Sequence, residues 1–222
     1  MEDKTNEITA IPKLLDGLSV EHSTVSLDAM GCQKEIARKI VDGKGDYLLS
    51  LKGNHGNAFR DAEWLFGQST ESSAHSTIEY DRSRPESRRC SVLHLSGSQK
   101  RLFPGWKELE PLVRIESSTE RQGVQSHEIR YYMSSHKNAS PQMLGSLVRS
   151  HWSIENQLHW HLDVTFGEDA SQIKKGHAPE NMNLLRKMAL QRVGKVNDKL
   201  SIQKRRYKAS LNTQYFEQIL KL

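Results

Sequence analysis

The chain has 222 residues, enough for one sizeable core or for one core with an insertion. Lys and Arg number 32 against 27 Asp and Glu, a net charge of +5 that permits a polyanionic partner without demanding one. No apolar run approaches the ~20 residues of a membrane span, and Cys32 and Cys90 form no C-x-x-C, which excludes a thiolate zinc site and fits a reducing compartment.

In chain order, the amino-terminal MEDKTNEITA is charged and has no apolar signal segment, so a cytoplasmic protein is expected. Ile8, Ile11, Leu15 and Leu18 recur at helical spacing and predict a short first helix, with Gly17 near its end. In Thr24-Val25-Ser26-Leu27-Asp28 the apolar residues alternate with polar ones, as in a strand that delivers Asp28 at its carboxyl end. Gln33 to Val41 predicts a helix with Ile36, Ala37, Ile40 and Val41 on one face, broken by Gly43-Lys44-Gly45. Tyr47 to Leu51 is a continuous apolar run, as expected of a buried strand. Strand, helix, strand implies a parallel pair with a right-handed crossover. The loop Lys52-Gly53-Asn54-His55 leads into a helix around Phe59 to Phe66.

Residues 67–87 are polar and read as an exposed, mobile connection. Three strand candidates follow, Arg89 to Leu95, Leu112 to Ser117 and Glu128 to Ser134, and suggest an antiparallel insertion. Ser140-Pro141 opens a helical region, with Ser140 as its cap and Pro141 in its first turn. A further helix is expected from about Pro179 to Arg192. A basic tail then carries Lys199, Lys204, Arg205, Arg206 and Lys208, followed by apolar Tyr215, Phe216, Ile219 and Leu220. The expected divisions are 1–66, 67–138, 139–195 and 196–222, within a single domain.

The densest chemistry lies in LVRSHWSIENQLHWHLDVTFGEDA, Leu147 to Ala170. Leu147, Ile154, Leu158 and Leu162 form an apolar stripe at helical spacing. His151, Glu155, His159 and Asp163 recur every four residues and would form one drifting column on an α-helix. Such a column is either a solvated polar face or a metal site. Asp28, likewise, either caps the helix that follows it or reaches a metal from the end of its strand.

The run Arg149-Ser150-His151-Trp152, Ile154-Glu155-Asn156, Leu158-His159-Trp160 and Leu162-Asp163-Val164 resembles the signature of the H-repeat-associated proteins. These belong to the ISAs-type insertion-sequence transposases, a branch of the DDE transposases. The likeness continues through Glu168-Asp169-Ala170 and Ala178 to Leu190. Upstream, Val25 to Gln33 resembles the family's second-aspartate motif almost residue for residue. Lys52-Gly53-Asn54 also matches, whereas His55 stands where the family usually has Gln. Thr5 to Pro12 matches the segment that leads into this region.

The resemblance implies a ribonuclease H-like α/β fold with a β-rich insertion, and magnesium-dependent DNA cleavage and strand transfer. It makes Asp28 and Glu155 catalytic acids and metal ligands that face one another closely enough to share a cation. Lys52, Asn54, Arg149 and His151 become candidates for DNA contact, with Arg149 the better phosphate ligand. The basic residues Lys204, Arg205 and Arg206 could track a DNA backbone. Trp152 and Trp160 read as core residues.

Two departures shape the expectation. The family's first catalytic aspartate has no counterpart here, since Asp3 and Asp16 do not match its motif. Ser83-Arg84-Pro85-Glu86 lacks the family's His-Gly. The sequence therefore reads as an amino-terminally truncated and inactive transposase. The alternatives are a non-catalytic remnant that holds DNA, self-associates or pairs with full-length relatives, and a zinc-dependent hydrolase built on His151, Glu155, His159 and Asp163.

Overall fold

The computed structural model describes residues 7–69, 73–81, 84–121 and 124–221. The chain divides into two compact units, Met1–Arg149 and Ser150–Leu222.

The first unit is built on one six-stranded mixed sheet, in the order β1-β2-β6-β5-β4-β3. Helix α1 (Glu7–Asp16) leads into β1 (Thr24–Leu27), α2 (Lys34–Asp42) and β2 (Asp46–Leu51). As the strand–helix–strand pattern predicts, β1 and β2 are parallel, with Val25 opposite Tyr47 and Leu27 opposite Leu49. A 3-10 turn, Gly53–His55, runs into α3 (Gly56–Gln68). Strands β3 (Ser73–Asp81), β4 (Arg84–His94), β5 (Pro111–Arg121) and β6 (Val124–Ser134) are antiparallel, with the short α4 (Gly97–Lys100) between β4 and β5.

One expectation needs correction. The polar stretch 67–87 does not serve only as a connection, because Ser73–Asp81 is a strand paired along its length with β4. Its described side chains are largely exposed, so no buried face imposes an apolar alternation on the sequence. β6 pairs with β2 through Leu49 opposite Met133 and Leu51 opposite Tyr131, which makes the insertion a continuation of the parallel pair.

Both faces of β2 are covered, in keeping with its apolar run. Tyr47, Leu49 and Leu51 share one core with Ile36, Ala37 and Ile40 of α2 and Ala62, Leu65 and Phe66 of α3. On the other face, buried Tyr132, Val113 and Val92 lie in register. Helix α5 (Pro141–Ile154) meets that face at Gly145, where an added Cβ would lie 3.3 Å from Cβ of Cys90. Among the described residues β1 pairs with β2 and stands at the end of the strand order.

The second unit is helical. After α5 the winding widens into two π-helical turns, Glu155–His159 and His161–Thr165. Helices α6 (Ala178–Gly194), α7 (Ile202–Leu211) and α8 (Thr213–Leu220) follow. Val193, Val196, Tyr215 and Ile219 form their small core. The residues expected as a basic tail thus fold as two capped helices. Ser201 Oγ accepts from the Lys204 amide at 3.3 Å, and Asn212 Oδ1 accepts from the Tyr215 amide at 2.8 Å.

Candidate functional site

Asp28 is exposed and directly follows β1, at the carboxyl end of the parallel pair. Ligands commonly bind at this end of an α/β sheet, because the loops there are free to vary. Asp28 Oδ1 accepts from the Met30 amide at 3.1 Å and the Gly31 amide at 3.4 Å. The carboxylate therefore shapes its own turn and does not cap α2, whose N-cap is Gln33. Oδ2 accepts no hydrogen bond among the described residues. It is a hard, solvent-facing oxygen of the kind magnesium prefers, so the donor chemistry fits a divalent cation.

The turn is fastened to the loop after β2. Asn54 Nδ2 donates to the Ala29 carbonyl at 2.8 Å. The His55 ring, at Nε2, is hydrogen-bonded to the Cys32 carbonyl and stands edge-on to Trp106, with ring centroids 5.7 Å apart. Gln33 Nε2 donates to the Met30 carbonyl at 3.2 Å. Lys52, at the end of β2, is exposed and forms no ion pair among the described residues. The sequence reading made Asp28 a catalytic acid and Lys52 and Asn54 candidates for DNA contact, and all three lie at one end of the parallel pair. It did not foresee that His55 and Gln33 hold this turn. Gln33 closes the matched Val25 to Gln33 motif, whereas His55 stands where the family usually has Gln and carried no such signal.

Glu155 stands at the head of the first π-helical turn, in the other unit, and its side chain lies outside the described residues. The π winding bonds residues five apart, so the four-residue column of His151, Glu155, His159 and Asp163 does not stack as it would on an α-helix. Among the described residues no three His, Cys, Asp or Glu side chains converge as a metal-binding group. Arg149 is exposed near the end of α5, and the His151 ring stands edge-on to Trp152 at 6.2 Å. Trp160, expected in a core, is instead 51% exposed.

The basic residues of α7 separate by environment. Lys204 is exposed. The Arg206 guanidinium lies 4.2 Å above the Phe166 ring. Arg205 is buried, which corrects its expected role in contacting DNA. Its guanidinium donates to Asp198 Oδ1 at 2.7 Å, the Asp198 carbonyl at 2.7 Å and the Val193 carbonyl at 3.1 Å. Tyr215 completes the knot by donating to Asp198 Oδ2 at 2.8 Å.

Comparison with known proteins places this arrangement. The pattern of the transposase DDE domain matches residues 2–192. The chain belongs to the DDE transposase family, in its H-repeat-associated group. YncI of Escherichia coli O157:H7 is 39% identical over 227 residues, covering 99% of this chain and 58% of that protein. YhhI of E. coli K12 is 33% identical over 230 residues, covering 99% of this chain and 60% of that protein. YbfD of E. coli K12 is 54% identical over 55 residues, covering 25% of this chain and 22% of that protein. Their names attach all three to transposases, and those of YhhI and YbfD to the H repeat. The chain spans about three-fifths of the length of YncI and YhhI. Among the described residues no helix is long and apolar enough to cross a membrane.

Proposed function

We propose that this chain contributes the second aspartate, Asp28, and the last glutamate, Glu155, to a DNA-cleaving and strand-transferring transposase that uses magnesium. The observation that carries the reading is the Asp28 turn. It presents one carboxylate oxygen to solvent at the end of a parallel strand pair and is braced by the adjacent loop. The Asp28 and Glu155 carboxylates would hold the divalent cation. When bound, such cations activate the attacking oxygen and stabilise the leaving oxygen of a phosphodiester. Asp28 Oδ1 fixes the turn and Oδ2 is left for the metal. Lys52 and Arg149 supply cationic contacts to phosphate, and Asn54 keeps the turn in place. The protein is expected to act on DNA in the cytoplasm.

A polypeptide of these 222 residues carries two of the three acids that the family's chemistry uses. Losing a ligand costs more than misplacing one, and a misplacement of ~1 Å alone costs about 100-fold in rate. Such a polypeptide is expected to bind a divalent cation weakly and to leave DNA uncut.

The test combines manganese titration with a cleavage assay on duplex carrying the element's ends. Weak cation binding that both Asp28→Asn and Glu155→Gln abolish, without cleavage, is the expected result. Binding unchanged in either variant would defeat that residue's assignment. Cleavage lost in both variants would mean that another acid, Asp163 or Asp169 first, completes the set.

A further inference from the structure

A groove of about 710 Å³ opens in the first unit beside the Asp28 turn. Its walls come from separate segments: Lys34 at the start of α2, His55 before α3, Asn57 and Arg60 in the first turns of α3, and Trp106. The His55 bond to the Cys32 carbonyl and the Asn54 bond to the Ala29 carbonyl join this wall to the segment that carries Asp28.

Three features specify what the groove would hold. The first is charge. Lys34 and Arg60 outweigh the single acid, Asp61. Lys34 is exposed and forms no ion pair among the described residues. Arg60 Nε donates to the Gly56 carbonyl at 3.1 Å, and Nη2 donates to Asn57 Oδ1 at 2.7 Å. These local bonds fix the guanidinium plane and leave N–H groups for an acceptor outside the protein.

The second feature is the space kept for Lys34. Gly105 has φ +83°, and a Cβ there would come within 3.3 Å of Lys34 Cδ and 3.6 Å of Nζ. A glycine therefore serves both the backbone and the lysine stem that lies along it. The third is the start of α3. His55 occupies the N-cap but makes no capping bond, because its ring is turned to Cys32. The partial positive end of α3 adds to the two side-chain cations. The volume is in the range of ordinary ligand sites, roughly 300–1,000 Å³.

We propose that this groove seats the sugar–phosphate backbone of a DNA strand running past the Asp28 turn, with Lys34 and Arg60 on its phosphates. The proposal rests on the reading of the chain as a DNA-processing protein. It adds a strand-positioning site that none of the matched motifs contains, since Lys34 and Arg60 lie just outside the segments from 25 to 33 and 52 to 54.

The test is an anisotropy titration of labelled duplex DNA with the 222-residue polypeptide at several salt concentrations. The unaltered chain is compared with Lys34→Gln/Arg60→Gln and with a charge-matched control, Lys13→Gln/Lys44→Gln. The groove variant should bind about 3- to 10-fold more weakly, with a salt slope smaller by about 1 to 2, while the control changes less than about twofold. No binding by the unaltered chain overturns the DNA reading and this proposal with it. Equal effects of the two variants overturn the groove alone. Lysine acetylation of the unaltered chain gives a readout independent of variant folding. DNA should protect Lys34 and leave Lys13 reactive, and equal labelling of Lys34 with and without DNA would refute the assignment.

Discussion

The Asn54 side-chain amide donates to the Ala29 carbonyl at 2.8 Å, so the loop after β2 holds the turn after β1. The two loops leave neighbouring parallel strands, and this bond couples the position of Asp28 to that of Lys52. Asn54→Ala should cost about 1 kcal/mol, the usual net value of one such bond. The melting temperature should fall by about 2–4 °C. Manganese affinity should fall as well, because the carboxylate loses its brace. Calorimetry and titration check this, and unchanged values in both would show that the bond does not position Asp28.

Gly31→Ala should disturb the same turn more severely. The new Cβ would lie 2.8 Å from Leu27 Cβ and 3.3 Å from Ile11 Cδ1. Leu27 Cβ is fixed to the strand and cannot swing away, so the backbone must shift, at a cost of about 1–3 kcal/mol. Gly53→Ala is the control, since a Cβ there meets nothing within 4 Å. Denaturant midpoints should separate the two variants.

How much was legible in the sequence follows from burial. β1, α2 and β2 could be read to within a residue or so, because Val25 and Leu27 of β1 pack against the core, α2 buries one face and β2 buries both, and the apolar residues follow that pattern. β3 could not, since its described side chains, 73–78, are largely exposed and solvent sets their composition. Asp28 was recognisable by its strand-end position and its motif. Arg205 was misread because a run of basic residues looks the same whether one member points inward or none does. Asp198, seven positions before it, was the only hint of a partner. The π-helical winding at Glu155 leaves no mark on the spacing of apolar residues.

The Arg205 knot makes a prediction for the second unit. Arg205→Gln removes a buried guanidinium that donates three hydrogen bonds to Asp198 and Val193, and should destabilise the unit by roughly 2 kcal/mol. Lys204→Gln, at an exposed neighbouring position, should change stability little. Thermal unfolding followed by tryptophan fluorescence tests the pair, and similar midpoints would refute the distinction.

Acid should loosen the same unit. Partial burial pushes the Asp198 carboxyl upward, but hydrogen bonds from Tyr215, Arg205 and the Leu200 amide, with the Arg205 charge, outweigh it and hold the group below its ordinary value. The folded state thus binds the proton less readily than the unfolded chain. The stabilisation is complete above the ordinary carboxylate range near ~3.9 and is lost as pH falls below it. Asp198→Asn should flatten this part of the stability profile. A profile just as steep in the variant would assign the acid sensitivity to other groups.

The cysteines should be silent in the folded protein. Burial pushes the thiols of Cys32 and Cys90 up to about 12, so little thiolate exists near neutrality. Iodoacetamide at neutral pH should label neither until denaturant is added. Rapid labelling of the native chain would reveal local opening around Cys32, in the turn before α2, or Cys90, in β4.

Ser134 Oγ donates to the Tyr47 carbonyl across 87 positions of chain. The parallel pair cannot gain its second neighbour until β6 has been made, and β6 is the last strand of the sheet. On the ribosome, β1, α2 and β2 therefore wait with one face of β2's ladder unpaired while the whole β3–β5 arm emerges. At about 5–20 residues per second that interval lasts several seconds, during which the apolar edge of Leu48 to Leu51 is open to other nascent chains. Contacts so distant in sequence also slow closure of the sheet. Production of soluble protein should thus depend on how quickly residues 52–134 are translated, and slower codons placed there should send more of the chain to chaperones or aggregates.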